Sequence, residues 1–188
     1  TTMIFKNLIK IFLFGILLNG ASVFADGHKT GPTLKQIGEI KFDLIHTSMT
    51  EGSRITGRFG NGSITFTRGG SGVLDECVED GYVKKNGTID FILWCHVSLD
   101  DEKTLMIKYA GIIVGEGNMY DRLNQLEVLG PGNGMDVWFS EMKMLTGSEK
   151  YAWLNDSMIV GEGVALQMPD GNKPGIVHYK LYELVHSK

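Results

Sequence analysis

Apolar and polar positions alternate with a period of two along most of the chain. Ile40, Phe42 and Leu44 alternate with Lys41 and Asp43, and Ile64 and Phe66 alternate with Thr65 and Thr67. Ile89, Phe91, Leu93, Cys95 and Val97 alternate with Asp90 and His96, and Val177, Tyr179 and Leu181 repeat the pattern near the end. Successive strand side chains point to opposite faces, so this predicts strands with one dry and one wet face. Turn residues divide the pattern at Gly60-Asn61-Gly62, Gly69-Gly70, Lys85-Asn86-Gly87, Asp100-Asp101, Gly130-Pro131-Gly132 and Asp170-Gly171. The one helical stretch is Tyr120 to Val128, with Leu123 and Leu126 on one side, enough for one or two turns.

Many hairpins and few crossover helices predict an antiparallel sheet, and closure would remove its edges. The expected fold is all-β: a single closed antiparallel β-barrel, lipocalin-like or calycin-like, of about eight to ten strands. Within it, Ile112 to Gly117 is echoed by Met158 to Gly163. Neither copy opens a helix, so a phosphate cradle is disfavoured and two barrel strands ending in similar turns or bulges are expected. An outer-membrane barrel would need an apolar outward band, which Lys41, Asp43, Lys108 and Lys180 interrupt.

The N-terminus has a different pattern. Lys6 and Lys10 precede an apolar run from Ile11 to Leu18, and Val23 and Ala25 occupy the small-residue positions of a cleavage site. The run is too short to span a bilayer as a helix. Residues 1–25 are therefore expected to be a signal peptide with Met3 as its start, 26–35 a flexible arm and 36–188 the barrel. That places the protein in the periplasm or outside the cell.

An oxidising compartment gives the two cysteines a meaning. If Lys85-Asn86-Gly87 is a three-residue loop with Gly87 left-handed, Lys84 faces Thr88 and Cys77 falls opposite Cys95, at disulfide distance. A two-residue loop would shift the register by one and leave two buried thiols.

Composition removes several classes. With 188 residues, 43% hydrophobic and 21% charged, the chain is neither disordered nor a disulfide-dense scaffold. A net charge of −4 without a basic stripe argues against nucleic acid and against an anionic membrane surface. The histidines at 28, 46, 96, 178 and 186 have no ligand spacing, so no metal or cofactor is expected. No Gly-x-Ser-x-Gly elbow is present.

The residues best suited to hold a ligand lie late in the chain. Tyr151, Trp153 and Asn155 share one parity, and on a strand they would line one face. Two aromatics beside an amide can stack on a flat molecule and hydrogen-bond its edge, and Trp138 and Tyr109 could join from other strands. The competing expectation is ordinary barrel filling, with Asn155 satisfied by a turn backbone. Asp90, Trp94 and His96 share the parity opposite to Phe91 and Leu93, so they point to solvent or to a subunit contact; exposed Ile92 and Trp94 favour a contact between copies.

The run Tyr151-Ala152-Trp153-Leu154-Asn155, followed by Asp156-Ser157-Met158-Ile159-Val160-Gly161, resembles the family called domain of unknown function 3237. Val137-Trp138-Phe139, Thr146-Gly147, and Gly175 to Tyr179 leading to Tyr182-Glu183-Leu184 match that family in order, as do Asp75, Asn86-Gly87, Asp90 and Asp100-Asp101. The resemblance covers residues 36 to 185; Asp75-Glu76 stands where the family often has an Asp-Trp pair. It implies a single-domain antiparallel barrel and no established reaction, and it favours Tyr151, Trp153 and Asn155 as a site. The function expected is an exported binding protein with an aromatic-lined pocket for a small apolar or aromatic molecule. Asp75, Asp90 and Tyr109 would add polar contacts near its mouth. The alternative is a cofactor-independent isomerase, cyclase or lyase using the same pocket, with a desolvated Asp or Tyr as its acid–base group.

Overall fold

The computed structural model describes residues 31–50 and 52–187. The expected signal peptide, residues 1–25, lies outside the described residues. The strands are β1 (Pro32–Thr50), β2 (Arg54–Phe66), β3 (Ser71–Val83), β4 (Ile89–Leu99), β5 (Thr104–Gly115), β6 (Gly130–Pro131), β7 (Gly134–Thr146), β8 (Ile159–Gln167) and β9 (Gly175–His186). A short helix, α1 (Met119–Asn124), follows β5, and a 3₁₀ turn (Ala152–Asp156) joins β7 to β8. The sheet order is β5-β4-β3-β2-β1-β9-β8-β7-β6, and pairing of β5 with β7 closes it into an antiparallel barrel of eight strands with β6 as an extra piece. The expected closed all-β barrel is therefore what forms. β1 begins at Pro32, and residues 32–35, expected in the arm, are paired with β9 from His186 to Glu183.

The alternation works as read. Ile40, Phe42, Leu44, Ile64, Phe91, Leu93, Val97, Val177, Tyr179 and Leu181 are all buried inside the barrel. The outer face carries ion pairs such as Arg54–Asp80 and Arg58–Glu76. Exposed apolar side chains, among them Ile92, Trp94 and Phe139, share that outer face with the ion pairs. Among the described residues no helix is long and apolar enough to cross a membrane.

Two expected breaks took other forms. Gly60-Asn61-Gly62 is not a turn but lies inside β2, where Asn61 adopts φ 48° and the pairing with β1 skips between Lys41 and Asp43. The extra residue is absorbed as a bulge, which bends the strand without ending it. The helix stops at Asn124, because Leu126 takes φ 63° and is exposed. Met119 and Leu123 are the buried residues of α1, and Tyr120 packs against the core beside them.

The Lys85-Asn86-Gly87 loop has the geometry needed for the bridge. Gly87 is left-handed at φ 84°, the Lys84 amide donates to the Thr88 carbonyl at 2.8 Å, and Cys77 pairs with Cys95. The two sulfurs are bonded, with a Cα–Cα distance of 4.1 Å, as suits a non-hydrogen-bonded pair. The register of β3 and β4 slips between Leu74 and Glu76. That bulge resets the parity of β3: Gly72 and Leu74 face inward before it, Cys77 and Gly81 after it. Asp75 and Glu76 sit at the bulge and face outward.

The glycines of the internal echo serve packing. A Cβ at Gly163 would stand 1.7 Å from the Trp138 indole, one at Gly161 would stand 2.3 Å from Met142, and one at Gly115 would stand 2.1 Å from Met119. Both copies lie beside register shifts, but only the first ends its strand: β5 stops at Gly115, whereas Gly161-Glu162-Gly163 lies within β8, which runs on to Gln167.

Candidate functional site

Up-and-down topology sends alternate turns to opposite ends of the barrel. At one end lie the β2–β3 and β4–β5 turns and the 3₁₀ segment. At the other lie the β1–β2, β3–β4 and β8–β9 turns, with α1 beside them. The Tyr120 hydroxyl donates to the Gly87 carbonyl at 3.0 Å, which ties α1 to the β3–β4 turn.

The first end is plugged. Tyr151 packs on Phe66 with ring centroids 5.3 Å apart, and Trp153 meets Phe66 edge-on at 5.8 Å. The Tyr151 hydroxyl donates to Asp100 at 2.8 Å, and the Lys150 ammonium donates to the same carboxylate at 2.8 Å. The Lys150 and Tyr151 hydrogen bonds hold the Asp100 carboxyl below the usual carboxylate range. Asn155 accepts from the Thr146 amide at 2.8 Å and donates to the Thr146 carbonyl at 3.0 Å, closing the loop on itself. Arg68 lies over the Trp153 ring at 4.1 Å.

Under α1 the barrel encloses a cavity of about 250 Å³. Its walls include Phe42, Phe59, Phe91, Leu93, Ile113 and Leu166. Glu79 from β3, Tyr109 from β5, Trp138 from β7 and Tyr179 from β9 bring polar atoms into it from the barrel wall, and Thr47, Ser48, Tyr120 and Asn124 do so beside them. Trp138 Nε1 donates to Tyr179 Oη at 2.8 Å, and the two rings meet edge to face at 4.9 Å. The Tyr109 and Tyr179 rings are 5.8 Å apart. The hydroxyl of Tyr109, a residue only 2% exposed, has no hydrogen-bond partner among the described residues. Burial pushes the Tyr109 phenol well above its ordinary range, and the nearby Tyr179 and Glu79 add to this. Burial raises Tyr179 likewise, against the Trp138 hydrogen bond. Both phenols therefore stay protonated and present O–H groups.

Glu79 is the unusual member. It pairs across the sheet with Gly57 on one side and Leu93 on the other. Burial, reinforced by the charge of neighbouring Asp80, pushes its carboxyl up to about 7. Gly57 makes room for it, since a Cβ there would stand 2.5 Å from Glu79 Oε2. A carboxyl titrating near neutrality in an apolar enclosure is suited to accepting and returning protons.

The sequence-derived residues separate into two groups. Tyr109 and Trp138 line the cavity; Tyr151, Trp153 and Asn155 do not. The last three do not form one strand face, because the segment turns as a 3₁₀ helix. Local hydrogen bonds from Asn155 to Thr146, and from the Tyr151 amide to Ser148 Oγ, compete successfully with strand pairing there. Asp75 accepts from Ser98 at 2.8 Å on the outer surface, and Asp90 pairs with Lys84 at 2.7 Å, also outside. Trp94 is exposed as expected. Glu79 was missed, although it shares the parity of Cys77 and lies across from Leu93. Once the cysteines face each other inside the barrel, Glu79 must face inward too. Among the described residues no three His, Cys, Asp or Glu converge to hold a metal ion.

Fold and site together define a small closed β-barrel with an aromatic interior cavity lined by a carboxyl group and three phenols. Residues 32–184 match the family described as "Protein of unknown function (DUF3237)", and the chain belongs to that family. No curated protein matches the chain. Among solved structures, it is similar to a conserved protein of unknown function from Rhodopseudomonas palustris, with TM-score 0.68 and 16% identity, over 82% of this chain and 99% of that one. It is similar to a beta-barrel like protein from Acinetobacter baumannii, with TM-score 0.60 and 19% identity, over 82% and 97%. An enzyme from Penicillium herquei shares the fold at TM-score 0.52 and 13% identity, over 81% and 96%.

Proposed function

We propose that this barrel binds a small, largely apolar molecule of one or two rings in its interior, under α1. The observation that carries the reading is the buried Tyr109 hydroxyl, without a partner among the described residues, set in a largely apolar cavity. An unpaired buried hydroxyl is costly, and a ligand oxygen would satisfy it. Size fits as well: an apolar cavity of about 150 Å³ admits benzene, so the present cavity has room for a second ring. The aromatic walls offer edge and face contacts to a flat molecule.

The Cys77–Cys95 bridge and the N-terminal pattern support export to the periplasm or the cell exterior. A purified exported chain beginning at Asp26 would match this reading.

Thermal-shift titration with a panel of one- and two-ring apolar compounds tests the binding. A ligand at a hundred times its Kd adds about 2.7 kcal/mol of stability. Leu93→Trp, which fills the cavity, should abolish the shift, and Trp153→Ala, at the plugged end, should leave it. The reading fails if no compound stabilises the protein, or if Trp153→Ala removes binding and Leu93→Trp does not.

The alternative, an enzyme without cofactor, is supported by the Glu79 carboxyl and by a structural relative described as an enzyme. The acid–base group would then be Glu79 rather than Asp90, since Asp90 is ion-paired on the outer face.

A further inference from the structure

The cavity holds more than a ligand needs for affinity. Glu79 makes no hydrogen bond or ion pair with another described residue, yet it lies largely buried on the inward face of β3. A carboxyl in that position disfavours the folded chain, because its charged form loses hydration without gaining a partner. Across β2 the position facing it is a glycine whose Cβ would collide with Oε2. Unpartnered on the same cavity is the Tyr109 O–H, a donor held in its protonated form. A base and a donor, each without a partner among the described residues, face one largely apolar cavity. The molecule that satisfies both has a hydrogen-bond-accepting oxygen and a weakly acidic C–H beside it.

Resting on the binding reading above, we infer that the cavity is a proton-transfer site for ring ketones, with Glu79 as the general base and Tyr109 as the donor to the ketone oxygen. Glu79 takes a proton from the carbon next to the carbonyl. The C–H electron pair becomes a C=C bond, and the carbonyl π pair moves to oxygen, where the Tyr109 O–H holds the enolate. Protonated Glu79 then returns the proton, to the same carbon or to the far carbon of a conjugated enolate. Return to the same carbon restores the substrate with its hydrogen exchanged, return to the far carbon gives an isomer, and in both cases nothing is oxidised or reduced and no co-reactant is consumed.

The titratable surroundings of Glu79 are few. Tyr109 of β5, Tyr179 of β9 and Tyr120 of α1 share its cavity, and Asp80 is its neighbour in the chain on the outer face. From β2 and β4 the facing residues are Gly57 and Leu93, which carry no charge. A proton-transfer rate governed by Glu79 therefore has one inflection near neutrality, with the phenols neutral throughout.

The probes are 2-tetralone, a two-ring ketone, and 2-naphthol, its aromatic enol counterpart. Deuterium uptake at the carbon between ring and carbonyl of 2-tetralone is followed by NMR in D₂O, and 2-naphthol binding by titration. Wild-type protein should accelerate uptake over buffer, with a rate that rises through about pH 7 to a plateau. Glu79→Gln should lower the rate about 100-fold or more while keeping 2-naphthol binding. Tyr109→Phe should lower it roughly 100-fold. If 2-naphthol binds in a manner abolished by Leu93→Trp, yet uptake is no faster than in buffer or equal in the Gln variant, the catalytic role is overturned and the binding reading stands. If neither molecule binds, the ring-ketone proposal is overturned, and the binding reading is judged by the wider compound panel. Should Glu79→Gln not fold, the wild-type pH profile decides: an inflection near 7 supports the proposal, and a flat profile overturns it.

Discussion

Replacing Glu79 by Gln should stabilise the protein, and by an amount that depends on pH. In the folded chain burial pushes the Glu79 carboxyl up to about 7, from its ordinary 4.5. A raised carboxyl means that the fold disfavours the charged form. Below the unfolded value the side chain is neutral in both states and the effect vanishes. As pH rises from about 4.5 to about 7 the unfolded chain ionises first and folded stability falls; above 7 the loss is complete. At roughly 1.36 kcal/mol per pH unit, this window corresponds to about 3 kcal/mol, less whatever water still reaches the carboxylate. Gln has the same shape and cannot ionise. The variant should therefore exceed wild type by about 2–3 kcal/mol at pH 8.5. In a domain of this size that is a rise in Tm of about 5–10 °C. The gap should close near pH 4. Denaturant titrations of both proteins between pH 4 and 8.5, with the disulfide intact, measure it. A difference independent of pH would refute the reasoning, because it would mean that Glu79 titrates alike in both states.

Other consequences follow from the same geometry. Tyr109→Phe removes a buried hydroxyl that has no partner, so the unliganded protein should lose no stability and gain up to about 1–2 kcal/mol by thermal unfolding, in contrast to the usual cost of altering a buried Tyr. Gly163→Ala places a Cβ 1.7 Å from the Trp138 indole, so it should cost about 1–3 kcal/mol and shift the Trp138 fluorescence. Replacing Cys77 and Cys95 together by Ser opens a loop of sequence separation 18 and should cost about 3 kcal/mol, read as a lower denaturation midpoint.

The barrel was legible in the chain because its information is local. Alternation of period two marks which side of each strand is dry, and Lys85-Asn86-Gly87 carries the one backbone conformation that places Cys77 against Cys95. The same alternation placed Trp94 and Asp90 outward, as they lie, whereas Tyr109 was expected at the pocket only as an aromatic joining from another strand. The candidate site was legible only in part. Parity holds only while the chain remains a strand in unbroken register, and it failed wherever that condition did. Tyr151, Trp153 and Asn155 left the strand because side-chain hydrogen bonds to the Thr146 backbone and from the Tyr151 amide to Ser148 made a 3₁₀ turn locally cheaper. Asp75 faces out as the alternation through Leu74 requires, and Glu79 faces in with the parity of Cys77, because the bulge between Leu74 and Glu76 separates the two. What the chain alone determined was its all-strand character and the dry face of each strand that keeps its register, since both are set by neighbours two residues apart. Only the tertiary structure decided which interior positions converge on one cavity. Glu79, Tyr109, Trp138 and Tyr179 come from four different strands, and their meeting depends on register, barrel closure and the seating of α1, none of which a local pattern encodes.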